Sequence, residues 1–313
     1  MSAPRLLVIV GPTGSGKTRL ALEAAEALGG EVVSADAFAV YRGMDIGTDK
    51  PGPEDRRRVP HHLLDVADPG SRFSAGEFVR LADRAIAGIR SRGRIPVVAG
   101  GTHFYVRALL LGLFPSPPAD PGLRARLEGE WDEDPEGVRR RLAEVDPESA
   151  RRIARGDRQR ILRALEVYEL TGSPLSEHWR RQPNRPRYEA LLAAPRRDRA
   201  ELYARIDARV ETMFSAGLVE EVRALLRSGV PPDSHAMKAI GYREVVAFLR
   251  GEMGLDEARE RTRISTRHLA KRQLTWLRHL REGTLHRVAP PERGGCRDLT
   301  RLWNGTERGS SGS

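Results

Sequence analysis

Gly11-Pro12-Thr13-Gly14-Ser15-Gly16-Lys17-Thr18 combines three glycines, a lysine and a hydroxyl in the pattern of a phosphate-binding loop. An apolar run at 6–10 precedes it and a helical pattern at 20–28 follows, the strand–turn–helix context the loop requires. Backbone N–H groups in such a turn converge on an anion, and the helix N-terminus adds positive potential. Lys17 can set a point charge between two phosphoryl groups, and Thr18 can offer its hydroxyl to Mg²⁺. The loop predicts a bound di- or triphosphate. Asp36 lies eighteen residues past Thr18, at the end of the next strand-like run. A carboxylate facing a phosphate cradle is unfavourable unless it holds a metal, takes a proton or receives an incoming amine; capping the next turn is the competing reading. Gly100-Gly101-Thr102 ends a third run, where glycines allow close backbone approach and Thr102 can donate to a phosphate oxygen. Arg205 and Arg209 are four apart on one helix face, where a guanidinium fork can clamp a diphosphate. Arg205 pairing with Glu201 is the alternative.

Other candidates are weaker. Asp45 reads equally as a cap or as a ligand to hydrated Mg²⁺, while Tyr41 and Met44 read as wall or core. His61 and His62 lack partners at zinc-site spacing, so one of them is expected as a hydrogen-bonded pocket residue. Only Lys17, Lys50, Lys238 and Lys271 are lysines, against 49 arginines. A lysine kept in so arginine-rich a chain points to a need for a compact, flexible ammonium.

These residues need a scaffold. Strand-like runs at 6–10, 31–35 and 95–99 alternate with helical patterns at 17–28 and 75–92, the rhythm of an α/β, mainly parallel sheet flanked by helices. Thr13, Asp36 and Thr102 all fall just beyond strand C-termini, where such sheets bind ligands. Pro115-Ser-Pro-Pro-Ala-Asp-Pro121 breaks regular structure, and 120–187 reads as an inserted helical domain between core segments 1–119 and 188–289. Within it Ile161, Leu162, Leu165 and Tyr168 form an apolar face, with Arg160 and Arg163 projecting opposite as free guanidinium groups for a phosphate backbone. Helical patterns follow at 198–227, 241–250 and 255–281, and 290–313 reads as a disordered tail.

The net charge of +10 is uneven. Residues 151–187 carry +6 and 259–281 carry +7, so the remainder sums to −3, an electrostatic footprint for a polyanion. Ordinary solvated helix faces are the bland reading. One cysteine, Cys296, excludes an internal disulfide or cysteine zinc cluster and fits a reducing cytosol. The N-terminus lacks the order of a signal peptide, and no apolar run approaches the roughly 18 residues of a membrane span. A cytoplasmic protein with no membrane and no stable protein partner is expected.

The ordered set GPTGSGKT (11–18), YRGMDIGTDKP (41–51), HHLLDV (61–66), PVVAGGT (96–102), DRQRILRALEVYELTG (157–172), IGYRE (240–244) and RHLAKRQLTWLR (267–278) resembles the bacterial tRNA dimethylallyltransferases, over the chain to about residue 286. The resemblance implies a P-loop NTPase-like fold and transfer of a dimethylallyl group from dimethylallyl diphosphate to N6 of adenosine 37 in the tRNA anticodon loop, with Mg²⁺. It implies Asp36 as the catalytic carboxylate, and Thr102, Lys17 and Arg209 at the leaving group. Gly11 to Thr18 would cradle the diphosphate, with Thr18 on the metal. Positions matching RNA-contacting regions are Asp36, Ala37, Phe38, Ala39, Thr102, Arg124, Gln159, Arg160, Ile161, Leu162, Arg163, Lys238, Gly241, Tyr242, Arg243, Lys271, Arg272 and Gln273. The inserted domain would grip the anticodon stem-loop.

One departure stands out. The family commonly has Asp-Ser-x-Gln where this chain has Asp36-Ala37-Phe38-Ala39, so a hydroxyl and an amide are missing beside the acceptor base. With Asp36 present the reaction is expected to survive, with part of the grip on the bases passing to packing. Rival readings are a small-molecule kinase, a prenyltransferase acting on free AMP, and an RNA-binding protein regulated by nucleotide. The charged zones and inserted domain disfavour the first two, and Asp36 with Thr102 the third.

Overall fold

The computed structural model describes residues 5–114, 117, 120–181, 186–280 and 282–310. The chain divides into two compact units, Met1–Leu111 with Pro186–Ser313, and Gly112–Arg185. The inserted unit thus begins before the expected residue 120. Of the expected break at 115–121, residues 115, 116, 118 and 119 lie outside the described residues, as do 311–313 of the tail.

The larger unit is built on six parallel strands, β1 (Arg5–Val10), β2 (Gly30–Ser34), β3 (His61–His62), β4 (Ile95–Gly100), β5 (Glu189–Pro195) and β6 (Leu285–Val288), in the order β3-β2-β4-β1-β5-β6. β1 is apolar on both faces because both are covered. Leu6, Val8 and Val10 join Phe78, Ile86 and Leu109 on one side, while Leu7 and Ile9 join Leu20, Leu191 and Trp303 on the other. Helices α1 (Lys17–Leu28), α2 (Pro53–Arg58), α3 (Ala75–Ser91) and α4 (His103–Leu111) precede the insertion. Ser74 and Glu77 form a reciprocal capping box that starts α3.

The inserted unit contains α5 (Pro121–Glu133), α6 (Pro135–Val145), α7 (Pro147–Arg152), α8 (Arg158–Thr171) and α9 (Leu175–Arg181). Asp120, Asp134 and Asp146 each cap a helix whose first residue is proline, accepting from Leu123, Gly137 and Ser149 N–H. Asp-Pro pairs serve as helix starts here, since the side-chain oxygen satisfies a free N–H and proline lacks one. Leu127, Leu142, Ile161, Leu162 and Leu165 form this unit's own core.

After β5 come α10 (Arg199–Ser215), α11 (Leu218–Arg227), a 3-10 turn at Ala236–Lys238, α12 (Tyr242–Leu249) and α13 (Leu255–Arg278). They share a second core of Tyr41, Met44, Val210, Phe214, Leu218, Tyr242 and Val245, so Tyr41 and Met44 are core residues. The expected disordered tail is a correction. Pro291–Arg293 is a 3-10 turn, and Gly295–Ser310 is a helix, α14. Leu299 and Trp303 are buried against α1, and Arg5 stacks on the indole with 4.1 Å to its centroid. Its short, charge-interrupted apolar stripe hid a helix that only a partner surface stabilises.

Candidate active site

The phosphate loop joins β1 to α1 as its residue pattern requires. Gly14 and Gly16 have φ of 79° and 87°, left-handed values that favour glycine, and Gly16 caps α1. The loop is fastened from outside by arginines: Arg205 Nε donates to the Gly14 carbonyl at 2.9 Å, Arg197 Nε to the Ser15 carbonyl at 2.8 Å, and Arg209 to the Thr13 hydroxyl at 3.0 Å. Arg205 therefore serves the loop backbone, while Arg197 takes Glu201. On the inner side Gln273 of α13 accepts from Thr13 N–H and donates to the Gly101 carbonyl, both at 2.9 Å. It ties the loop to the end of β4.

Asp36 and Thr102 stand at adjacent strand ends. Asp36 Oδ1 accepts from Phe38 and Ala39 N–H at 2.9 and 3.1 Å, so the carboxylate also makes the cap that was its competing reading. The second oxygen is left for chemistry. The Thr102 hydroxyl accepts from Ala37 N–H at 3.0 Å, which leaves its own proton to donate. Gly100 is required here because a Cβ would sit 2.0 Å from the Ala35 carbonyl oxygen.

A cavity of about 340 Å³ is lined by Thr13, Lys17, Thr18, Asp36, Phe38, Asp49, Arg209, Lys238, Arg243 and Arg272, among others. A second, of about 1010 Å³, opens on the outer side of the loop, between Gly14, Gly16, Arg19 and Arg205. They share Lys17, Thr18, Asp49, His61 and Arg209, so the phosphate loop faces both. Thr102 does not line either cavity; it stands behind the Asp36 turn. Burial and neighbouring Arg209 push the Lys17 amine down to about 8, against the pull of Asp36 and Asp49. Burial also lowers the His61 imidazole, whose Nδ1 lies 2.8 Å from the Val59 carbonyl. His61 is the pocket histidine, and His62 belongs to Glu31 at 2.7 Å.

Within the loop 44–50, sequence reasoning missed Asp49 and the clamp from Glu221. Asp49, at φ 55°, sets its carboxylate 3.3 Å from Arg209 in the wall of both cavities. Glu221 accepts N–H groups from Asp45, Ile46 and Gly47 and the Tyr242 hydroxyl. Lys50, its side chain fully buried, donates to the Tyr41 carbonyl, Asp45 and Asp65. Asp45 is thus an ion-pair partner in this structure. A Gly47 Cβ would lie 2.3 Å from the Tyr242 ring, so that glycine is steric. The turn at Asp49 and the long-range clamp from Glu221 leave no local signature.

Several expected RNA contacts are corrected. Ile161 and Leu162 are core residues of the inserted unit, 0% and 5% exposed, because their periodicity served packing. Arg124 and Arg163 both bond the fully buried Glu166, and Arg163 also the Pro117 carbonyl, so neither is a free guanidinium. Tyr242 and Gly241 are buried, spent on Glu221 and Glu244, and Gln273 is the loop clamp described above. Gln159 and Arg160 are exposed, Arg160 facing Asp157 at 3.4 Å. Lys238, Lys271 and Arg272 are exposed and have no carboxylate partner among the described residues.

A family model described as IPP transferase matches residues 39–280, and one described as Isopentenyl transferase matches 4–65. A tRNA dimethylallyltransferase of Geobacter sulfurreducens is 51% identical over 280 residues, 88% of this chain and 90% of that protein. One of Thermomicrobium roseum is 49% identical, covering 91% and 87%. Among solved structures, a tRNA isopentenylpyrophosphate transferase of Staphylococcus epidermidis aligns with a TM-score of 0.70 at 36% identity over 97% of this chain and 99% of that one. A eukaryotic dimethylallyltransferase acting on tRNA aligns with a TM-score of 0.77 at 29% identity, over 88% and 70%. With a matched segment spanning most of its length and relatives near half identity, this chain belongs to the IPP transferase family.

Proposed function

We propose that this protein transfers a dimethylallyl group from dimethylallyl diphosphate to N6 of adenosine 37 in the anticodon loop of tRNA, forming N6-(dimethylallyl)adenosine. The observation that carries the reading is the pair of cavities meeting at Lys17, Thr18 and Arg209, with Asp36 in only one of them. An RNA base can approach from the Asp36 side and an allylic diphosphate from the other.

An adenine amine is a weak nucleophile, so the allylic carbon must gain cationic character as its C–O bond opens. The bonding pair leaves on the diphosphate, where Lys17, Arg209 and the loop amides stabilise the developing charge. The N6 lone pair forms the new C–N bond, and Asp36 takes the proton that N6 loses as it becomes cationic. Thr102, which lines neither cavity, supports this step by accepting from the Ala37 N–H and so holding the Asp36 turn in place.

The residues present fit Mg²⁺. The Thr18 hydroxyl and Asp49 carboxylate line both cavities, and no group of three His, Cys, Asp or Glu side chains forms a metal cage among the described residues. That donor set suits an ion that takes its remaining oxygens from a diphosphate and water. Bound there, Mg²⁺ would neutralise diphosphate charge.

Gln159 and Arg160 supply an RNA-facing surface on the inserted unit, and Lys238 and Arg272 another at the Asp36 cavity, with Lys271 beside Arg272. No helix among the described residues is long and apolar enough to cross a membrane. A cytosolic site of action and the absence of a stable protein partner belong to the same reading. Incubation of labelled dimethylallyl diphosphate with anticodon stem-loop RNA, and separately with AMP, tests it. Label is expected in the RNA alone, and lost when the acceptor adenosine is replaced by guanosine. Prenylated AMP, or phosphate transfer from ATP to a small acceptor, would overturn it.

A further inference from the structure

Phe38 lines the Asp36 cavity from the same turn whose N–H groups bond Asp36. The His235 ring lies nearly parallel to it, with centroids 5.8 Å apart and planes 19° from each other. The hydroxyl of fully buried Tyr41 lies 3.3 Å from His235 Nδ1. The imidazole is thus oriented from two directions, yet His235 remains exposed. Burial of part of the ring, with Arg72 and Lys238 nearby, lowers its affinity for a proton and so favours the neutral imidazole. Three residues on, Lys238 lines the cavity and offers an ammonium without a carboxylate partner among the described residues.

We propose that His235 is the stacking plate for the unpaired nucleotide adjacent to the acceptor adenosine. The proposal rests on the prenyl-transfer reading above. When the acceptor base leaves the anticodon stack for the Asp36 cavity, its neighbour loses a stacking surface that an aromatic ring can replace. Ala37 and Ala39 offer no side-chain hydrogen bonds to nucleotides at this turn, so ring surface is the recognition chemistry that remains. Lys238 would hold the phosphate linking the two nucleotides. Phe38 and Tyr41 act as positioning residues for the imidazole.

The test measures dissociation constants for labelled anticodon stem-loop RNA by fluorescence anisotropy, with wild-type protein, His235→Ala and His235→Phe. Each is paired with intact RNA and with RNAs abasic at the nucleotide before or after the acceptor. His235→Ala is expected to weaken binding of intact RNA about tenfold, the size of one base–aromatic stack. The salt dependence should stay unchanged, because no phosphate contact is removed. His235→Phe should restore affinity, and one of the two abasic RNAs should abolish the difference between His235→Ala and wild type. Wild-type affinity in His235→Ala, equal weakness in His235→Phe, or a loss that persists with both abasic RNAs would overturn the proposal. Equal binding of inorganic pyrophosphate by all three proteins shows the fold intact. Wild-type protein that neither binds nor prenylates the stem-loop overturns the prenyl-transfer reading itself, whereas prenylation with an unaffected His235→Ala overturns the stacking plate alone.

Discussion

Asp36 has two tasks, one oxygen capping its own turn while the residue lines the cavity. Asp36→Asn keeps the capping acceptor but not the proton acceptor. It should lower single-turnover prenylation by about 100-fold or more while leaving RNA affinity in a gel-shift assay unchanged. Lys17 gives a pH test. Its amine, pushed down to about 8 in the free protein, is protonated below that pH, and a bound trianion favours the protonated form. Pyrophosphate affinity by calorimetry should be level below about pH 8 and fall as pH rises through it, because the free protein then lacks the proton that the complex holds. The four lysines stand in three different settings. Lys17 is in the phosphate loop, Lys238 and Lys271 are exposed without carboxylate partners, and Lys50 is a buried hub for three oxygens.

Among elements, α10 and α13 turn a generic phosphate loop into one with two faces. Arg205 and Arg209 fasten its outer side from α10, and Gln273 fastens its inner side from α13. Gln273→Leu leaves the Thr13 N–H and the Gly101 carbonyl buried without their partner. It should cost about 2 kcal/mol in urea unfolding and weaken pyrophosphate binding. The central strands are legible locally because β1 and β4 are largely buried and read as apolar runs, and β2 carries Val32 and Val33 at its centre. The short edge strand β3, and β5 and β6 beyond β1, escaped local reading. β3 is two residues long, and Glu189–Pro195 is rich in alanine, so their pairing partners decide their state. On α8 periodicity makes Ile161 and Leu162 core residues while the resemblance makes them RNA contacts, and burial assigns them to the core.

For the whole molecule, the two basic zones resolve into spent and available charge. Arg152, Arg155, Arg158, Arg163 and Arg181 are ion-paired within the inserted unit, and Arg259, Arg261, Arg263 and Arg267 of α13 are paired as well. Lys271 and Arg272 are not, and each neutralised to alanine should lower the slope of log K against log salt for RNA binding by about one, without altering pyrophosphate affinity. The C-terminal helix gives a prediction opposite to the tail's composition. Trp303→Ala should destabilise the larger unit by about 3 kcal/mol, measured by thermal or urea unfolding, because the indole is buried against α1 and Arg5.

The sequence by itself determined the phosphate loop, the carboxylate at the end of β2 and the alternation that makes a parallel sheet. Each is encoded within a few neighbouring residues, by glycine's backbone freedom, by helix-terminal charge and by side-chain period. The tertiary structure alone decided which arginines are free, that Asp49 faces Arg209, that Glu221 and Tyr242 hold the loop 44–50, and that Gly295–Ser310 is a helix packed through Leu299 and Trp303. Those outcomes depend on partners far away along the chain, and pairing with a distant carboxylate or burial against a distant helix has no local period to announce it.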